Sequence, residues 1–569
     1  MTSIQRRPFL VVVAVSMALV SSHLDPRGSQ GAFGREQAAA NVLLRLEGEL
    51  QGGSLGAALM ASADLDGDGS AELVVGEPEA GHGAAGAGAV TIVFGQKGQS
   101  ASSFDMRPSQ MPPHQLRLDG LAGEHVGSSL AAVGDWDGDG TPELAIGAPG
   151  AAGAGGAGSG RVYLLKGGPR LRDLLSQSAL WALADLVREG VVAVFDGDAL
   201  GEETGFALAS GGDINGDGRQ DLLVGAPGLV GRDANAGSAY VLLGGSGWLD
   251  GTWQNRVVEG DAGSPGFRLR GRHPGEGFGE GVAILRDISG DERDEIVVSA
   301  PKAPEPFADA GRVEIWAMVP ELGADLKADR ASPNRRAEIT DSRDEWELVL
   351  LADPTGVSEG AGFGTALASL PGASAKSGRL LVGVPGDGTP VTPGAGVLFS
   401  IDGHSPGLED QLREGLQPVK LAAGEHRGQS VGETIALLPD LDGDELPEIA
   451  YSMRGWSADT EVRGGSVRVG LLFSGGAGSG VPANAFVDVG TGDDNLPLDS
   501  RVTLAGAADF LGTGAKMLLV GLPDADVGPS DGAGKARPGR RPPRPLQRAR
   551  VACLRKWKQL FERPGGRKS

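Results

Sequence analysis

The sequence predicts an all-β fold made of seven copies of one unit, and three observations carry that prediction. First, an acidic loop recurs: Asp135 to Pro149 reads DWDGDGTPELAIGAP, Asp64 to Pro78 reads DLDGDGSAELVVGEP, and Asp213 to Pro227 reads DINGDGRQDLLVGAP. Second, each loop runs into a short apolar stretch closed by glycine and proline, the pattern of a buried strand ending in a turn. Third, the spacing is nearly constant, with units starting at 64, 135, 213, 287, 371, 440 and 509. A repeat of about 70 residues recurring along the chain decides fold class before any single element does.

Within a unit, a glycine lies eight residues before the loop in five copies, at Gly56, Gly127, Gly205, Gly279 and Gly432, and small or apolar residues follow it. After the turn comes a glycine-rich link, then another strand such as Val90–Phe94, Val162–Leu165 or Ala239–Leu243. Carboxylates at alternate positions repel one another, and a hard cation between them removes the repulsion. Oxygen-only donors suit calcium better than zinc or copper. Glycine at the sixth position, as at Gly140, allows the chain to turn sharply around the ion. The loop is EF-hand-like only in its first half, because Ile146 stands where a twelfth-position acid would be and a strand follows. The expected ligands of units one to three are Asp64, Asp66, Asp68 and Glu72; Asp135, Asp137, Asp139 and Glu143; and Asp213, Asn215, Asp217 and Asp221. Unit four keeps Asp287, Asp291 and Glu295, and unit six keeps Asp440, Asp442, Asp444 and Glu448. Both replace the turn glycine, by Glu292 and Glu445, and are expected to be weaker sites. Units five and seven keep the strand and lose the acids.

Loop, turn and spacing together resemble the FG-GAP repeat family, known from the seven-bladed β-propeller at the head of integrin α subunits. The FG half stands in Phe278-Gly279 and Phe363-Gly364, and the GAP half in Gly147-Ala148-Pro149 and Gly225-Ala226-Pro227. The resemblance spans roughly Val42 to Asp524 and implies a propeller whose repeat is out of step with the blade. On that rule the strand at the start of each unit is the outer edge of the preceding blade, and Val42–Leu46 belongs to blade seven. The family pattern also implies that the backbone carbonyl of the seventh residue (Ser70, Thr141 or Arg219) joins the ligand set, with Ca2+ as the ion.

The remaining segments read differently. Arg6 and Arg7 precede an apolar run from Phe9 to Val20, followed by Ser21 and Ser22, the layout of a secretory signal peptide. The insert Arg170 to Glu189 carries leucines at three- and four-residue steps and reads as an amphipathic helix; Leu408–Leu416 is a shorter candidate. From Lys535 to Ser569 thirteen Lys and Arg face one acid, which leaves 38 basic and 73 acidic residues elsewhere. Such a jump marks an acidic body and a basic, disordered arm, open to weak contact with anionic surfaces. The organisation expected is thus a signal peptide over 1–22, a linker over 23–40, a propeller over 41–530 and a Pro/Arg-rich tail over 531–569. Nothing after the leader is long and apolar enough to cross a bilayer. The single Cys553 allows no internal disulfide.

No HExxH, Walker loop or cysteine–histidine pairing is present to suggest catalysis. FG-GAP repeats also occur beside catalytic domains, as in phospholipases D that release glycolipid anchors, but no segment is left over for one here. The expected function is non-catalytic: an exported or cell-surface, calcium-stabilised propeller that binds an extracellular protein or glycan, with no nucleic-acid partner. The alternative is a carbohydrate-active propeller, either a lectin or a polysaccharide lyase. The lyase needs tyrosyl and basic groups on one face, and only Tyr163, Tyr240 and Tyr451 are available.

Overall fold

A computed structural model describes residues 7–15, 40–47, 53–61, 63–81, 84–95, 104–105, 114–136, 138–228, 236–245, 266–288, 292–304, 308–318, 346–352, 358–371, 378–389, 391–402, 418–440, 446–456, 466–472, 485–489, 501–507 and 517–527. The described residues are mostly strand, in seven sheets of four or five strands. Each of the first six sheets is an antiparallel meander opening with the strand before the acidic loop, as in Leu130–Val133, Glu143–Ala148, Arg161–Leu165 and Val192–Asp196. Its second strand is buried throughout, as the continuous apolar runs imply: Glu143–Ala148, Asp221–Ala226 and Glu295–Ala300 are buried at every position.

The fourth strand of each sheet precedes the next unit's glycine. Gln115–Asp119 closes the first sheet, Val192–Asp196 the second, Gly266–Arg270 the third, Trp346–Ala352 the fourth, Val419–Ala423 the fifth and Ala485–Val489 the sixth. The sequence repeat is therefore one strand out of step with the sheet. Neighbouring sheets touch through their first strands, and those contacts run in chain order from Ala58–Met60 to Thr503–Ala507 and back to Ala58–Met60. At that last junction the Thr503 hydroxyl donates to the Ala57 carbonyl at 3.1 Å.

The seventh sheet departs from expectation. Ala40–Glu47 joins it, but does not pair with Met517–Val527 directly. Arg7–Val15 lies between them, antiparallel to both, with Leu10 opposite Gly521 on one side and Leu46 on the other. The apolar run that reads as an export signal thus supplies the third strand that unit seven lacks after Pro523. An uninterrupted apolar run rich in valine suits both a signal's core and a strand bonded on both edges, so pattern alone does not separate them. Arg550–Leu554, the other candidate for this slot, falls outside the described residues.

The insert also differs from the single helix expected. It forms α1 (Arg170–Gln177), a short strand (Leu180–Ala182) and α2 (Leu183–Arg188). The short strand adds to the first sheet, parallel to Gln115–Asp119. Leu171, Leu174, Leu183 and Leu186 are buried, whereas Leu180 stays exposed. Leu408–Leu416 and the basic tail lie outside the described residues. Among the described residues no helix is long and apolar enough to cross a membrane.

Candidate metal centres

Because the strands alternate in direction, every acidic loop sits at one end of its sheet, between the first and second strands. The loops are held open by their own backbone. Gly67 and Gly69 adopt φ of 76° and 85°, Gly138 and Gly140 81° and 93°, and Gly216 and Gly218 76° and 84°. These values turn successive N–H groups inward onto the first acid. Asp64 accepts from Gly67, Asp68 and Gly69 at 2.7–3.0 Å. Asp135 accepts from Gly138 and Gly140 at 2.7 and 2.9 Å, and Asp213 from Gly216, Asp217 and Gly218 at 2.7–3.0 Å. The seventh residue then donates its N–H to the fifth: Ser70 to Asp68, Thr141 to Asp139, and Arg219 to Asp217.

Two further positions hold the loop to its sheet, and sequence reasoning assigned neither its role. The second residue is an apolar anchor: Leu65, Trp136, Ile214 and Ile288 are all buried. Trp136 also donates its indole N–H to the Gln220 carbonyl at 2.6 Å, tying loop two to loop three. The ninth-position acid is buried at the start of the second strand, with Glu72, Glu143, Asp221 and Glu448 at 0% exposure and Glu295 at 1%. Its carboxylate accepts from the N–H of the second residue, as Glu72 does from Leu65 at 2.6 Å and Asp221 from Ile214 at 2.7 Å. The signal was present as an apolar residue between the first two acids in each of these copies.

Burial of an acid among acids has an electrostatic consequence. Desolvation, and then the Asp66 charge, push the Glu72 carboxyl up to about 8. Burial likewise raises Asp221 to about 7, against the two backbone N–H groups that favour its charged form. A divalent cation at the loop centre would reverse both shifts. The donors are oxygen only, and in loop one the ligating atoms of Asp64, Asp66, Asp68 and Glu72 lie within 4.8 Å of one another. That set fits a hard cation. In loop four Glu295 accepts from Ile288 at 2.7 Å, and Glu292 holds a φ of 68°. Asp137, Asp291, Asp442 and Asp444 fall outside the described residues, so loops two, four and six are seen only in part.

A second buried polar position, acidic in three copies and glutamine in a fourth, recurs at the opposite end of the sheets, three residues before the FG glycine. Glu124, Glu202, Glu276 and Gln429 are buried and close the turn ahead of them, as Glu202 does by accepting from Asp198 and Ala199. Glu124 also accepts from the Tyr163 hydroxyl at 3.1 Å, and Glu202 from Tyr240 at 2.7 Å. Tyr163, Tyr240 and Tyr451 are all buried.

The FG-GAP repeat model matches residues 55–93, 126–165 and 204–242, the three units with complete acid sets. Integrin alpha-7 of Mus musculus is 32% identical over 175 residues, covering 29% of this chain and 12% of that protein. Integrin alpha-PS2 of Drosophila melanogaster is 32% identical over 182 residues, 31% of this chain and 10% of that protein. Phosphatidylinositol-glycan-specific phospholipase D of Rattus norvegicus is 31% identical over 179 residues, 30% of this chain and 18% of that protein. The aligned segments thus span less than a fifth of each relative. Repeat, loop and strand order agree: the chain carries FG-GAP repeats, and those repeats resemble the repeats of integrin α chains.

Proposed function

We propose that the chain is a calcium-stabilised seven-bladed β-propeller acting as an exported, non-catalytic binding or adhesion module. The observation that carries this reading is the common geometry of loops one to three, in the same three units that match the repeat family. Asp64, Asp66, Asp68 and Glu72 would hold one ion; Asp135, Asp137, Asp139 and Glu143 a second; Asp213, Asn215, Asp217 and Asp221 a third. Calcium there would supply fixed positive charge, cancelling repulsion in a body that is strongly acidic apart from its tail. The cyclic contact of the seven first strands supports a closed ring, which leaves no long sheet edge exposed.

Ligand contact is assigned to the end of the sheets opposite the acidic loops. The links there expose Leu121, Leu200 and Val391, with Leu200 at 73%. The chain's similarity to integrin α repeats makes an extracellular protein or glycan the expected ligand class. Burial of all three tyrosines argues against the lyase alternative, which needs such groups on an open face. Calorimetric titration of the folded protein with calcium, followed by a binding array of matrix proteins and glycans with calcium or chelator, tests the reading. Calcium uptake together with calcium-dependent capture of one ligand class is expected. A folded protein that takes up no calcium would refute it.

A further inference from the structure

Loop one has a contact that the sequence does not show: a cation from elsewhere in the chain already reaches into it. Arg172 on α1 donates its Nε–H to Asp66 Oδ2 at 2.5 Å and an Nη2–H to Asp68 Oδ2. The stretch before the helix is docked there, since the Gly168 N–H donates to the Leu65 carbonyl at 2.7 Å. Leu171 and Leu174 of α1 are buried in the same apolar cluster as Leu65.

The choice of oxygens matters. The backbone N–H of Asp68 takes Asp66 Oδ1, and that of Ser70 takes Asp68 Oδ1. Both Oδ2 atoms are what the loop's own backbone leaves on these acids, and the guanidinium holds both. In loop three the corresponding Asp217 Oδ2 accepts from the neutral Asn215 amide at 3.1 Å. A cation bound in loop one would draw on the two oxygens that Arg172 holds and would face a positive charge beside it.

We propose that Arg172 is a tethered counter-cation that competes with calcium for Asp66 and Asp68. This rests on the calcium reading above and adds to it. It lowers the affinity of loop one below what its acids alone would give, and filling the loop turns an arginine out into solvent. The exchange asks little of the fold. The Arg172 side chain is already 51% exposed while Asp66 is 0% exposed, so the arginine can swing outward with α1 still anchored by its leucines. A pair open to water on one side is also weak enough for a divalent ion to displace.

The test is calcium titration of the full chain by calorimetry, comparing wild type with Arg172→Gln. Wild type is expected to bind calcium in several steps, one of them held back at loop one. The variant should tighten that step about three- to tenfold and leave the other steps unchanged. Asp68→Asn should remove the same step, which assigns it to loop one. An arginine-specific dicarbonyl label read by mass spectrometry gives a measure independent of affinity: calcium should speed labelling of Arg172. If calcium binds but Arg172→Gln leaves every step unaltered and calcium does not change the labelling, the competition is refuted and the calcium sites stand. If neither protein takes up calcium, the calcium reading itself fails and this proposal with it.

Discussion

The two ends of each sheet follow different rules. At the loop end, the full acid set is kept in units one to three and absent from units five and seven. At the turn end, units without acids keep the same glycine contact as units with them. A Cβ on Gly76 would lie 2.1 Å from the Gly127 carbonyl oxygen, one on Gly147 2.1 Å from Gly205, and one on Gly225 2.1 Å from Gly279. The same approach recurs in unit five, with Gly383 at 1.9 Å from Gly432, and in unit seven, with Gly521 at 2.2 Å from Gly56. Five FG glycine carbonyls, those of Gly56, Gly127, Gly205, Gly279 and Gly432, are thus pressed by the preceding unit's turn glycine, unit seven pressing unit one. Unit four has Ser299 at this position, and there the need passes to its partner: a Cβ on Gly364 would lie 2.7 Å from the Ser299 Cβ. Packing between sheets depends on the glycines, whereas the acids are proposed to serve an ion, and units five and seven have kept the first without the second.

The largest expected effect breaks the packing rule. Gly147→Ala puts a methyl group against a backbone oxygen that cannot rotate away, so the sheets must separate locally, at about 3 kcal/mol or more. Gly383→Ala should cost as much, although unit five has no acids to lose. Equal losses in denaturant melts would confirm that the contact is independent of the loop. A harmless Gly383→Ala beside a damaging Gly147→Ala would mean that the contact matters only where an ion binds nearby.

Chelation addresses the other end. Ions bound only to the folded chain stabilise it by about 2.7 kcal/mol per site at a hundredfold excess over Kd. Chelator should therefore lower the melting temperature, and Asp139→Asn should shrink that response without abolishing it. Gly383→Ala should leave the response whole, since no acids sit in its unit. A melting curve indifferent to chelator would leave the acids without a structural role.

Much of this arrangement was legible from one chain because a repeat presents the same constraint several times. Loop, strand and turn recur together, and the out-of-step fourth strand follows from where each unit begins. Three features were not legible. The run containing Phe9 to Val15 satisfies the pattern of a signal core and of a doubly paired strand, and only the missing third strand of unit seven distinguishes the second role. The insert reads as one helix because its leucines keep helical steps on both sides of Ser178, yet Leu180–Ala182 is taken up by the edge of the first sheet. The contact of Arg172 with Asp66 joins residues 106 positions apart, which no local pattern encodes.

The smallest expected effect separates strain from ion binding at one loop. Glu292 occupies the turn position that glycine fills in loops one to three, and it does so at φ 68°. A residue with a Cβ is strained there, and glycine is not. Glu292→Gly relieves that strain but also frees the unfolded chain, which offsets part of the gain. The net should be a stabilisation of ~0.5–1 kcal/mol. Because strain does not depend on metal, the gain should appear in chelator as well as in calcium. The reverse exchange, Gly218→Glu, imposes the strain at φ 84° in a loop with a full ligand set. It should lose about 1 kcal/mol in chelator, and more in calcium if the distorted turn also weakens the site. A pair of melts for each variant, with and without chelator, resolves the two contributions. Were Glu292→Gly to stabilise only in calcium, the turn glycine would matter for holding the ion and not for the backbone, and the separation of the two ends would have to be redrawn.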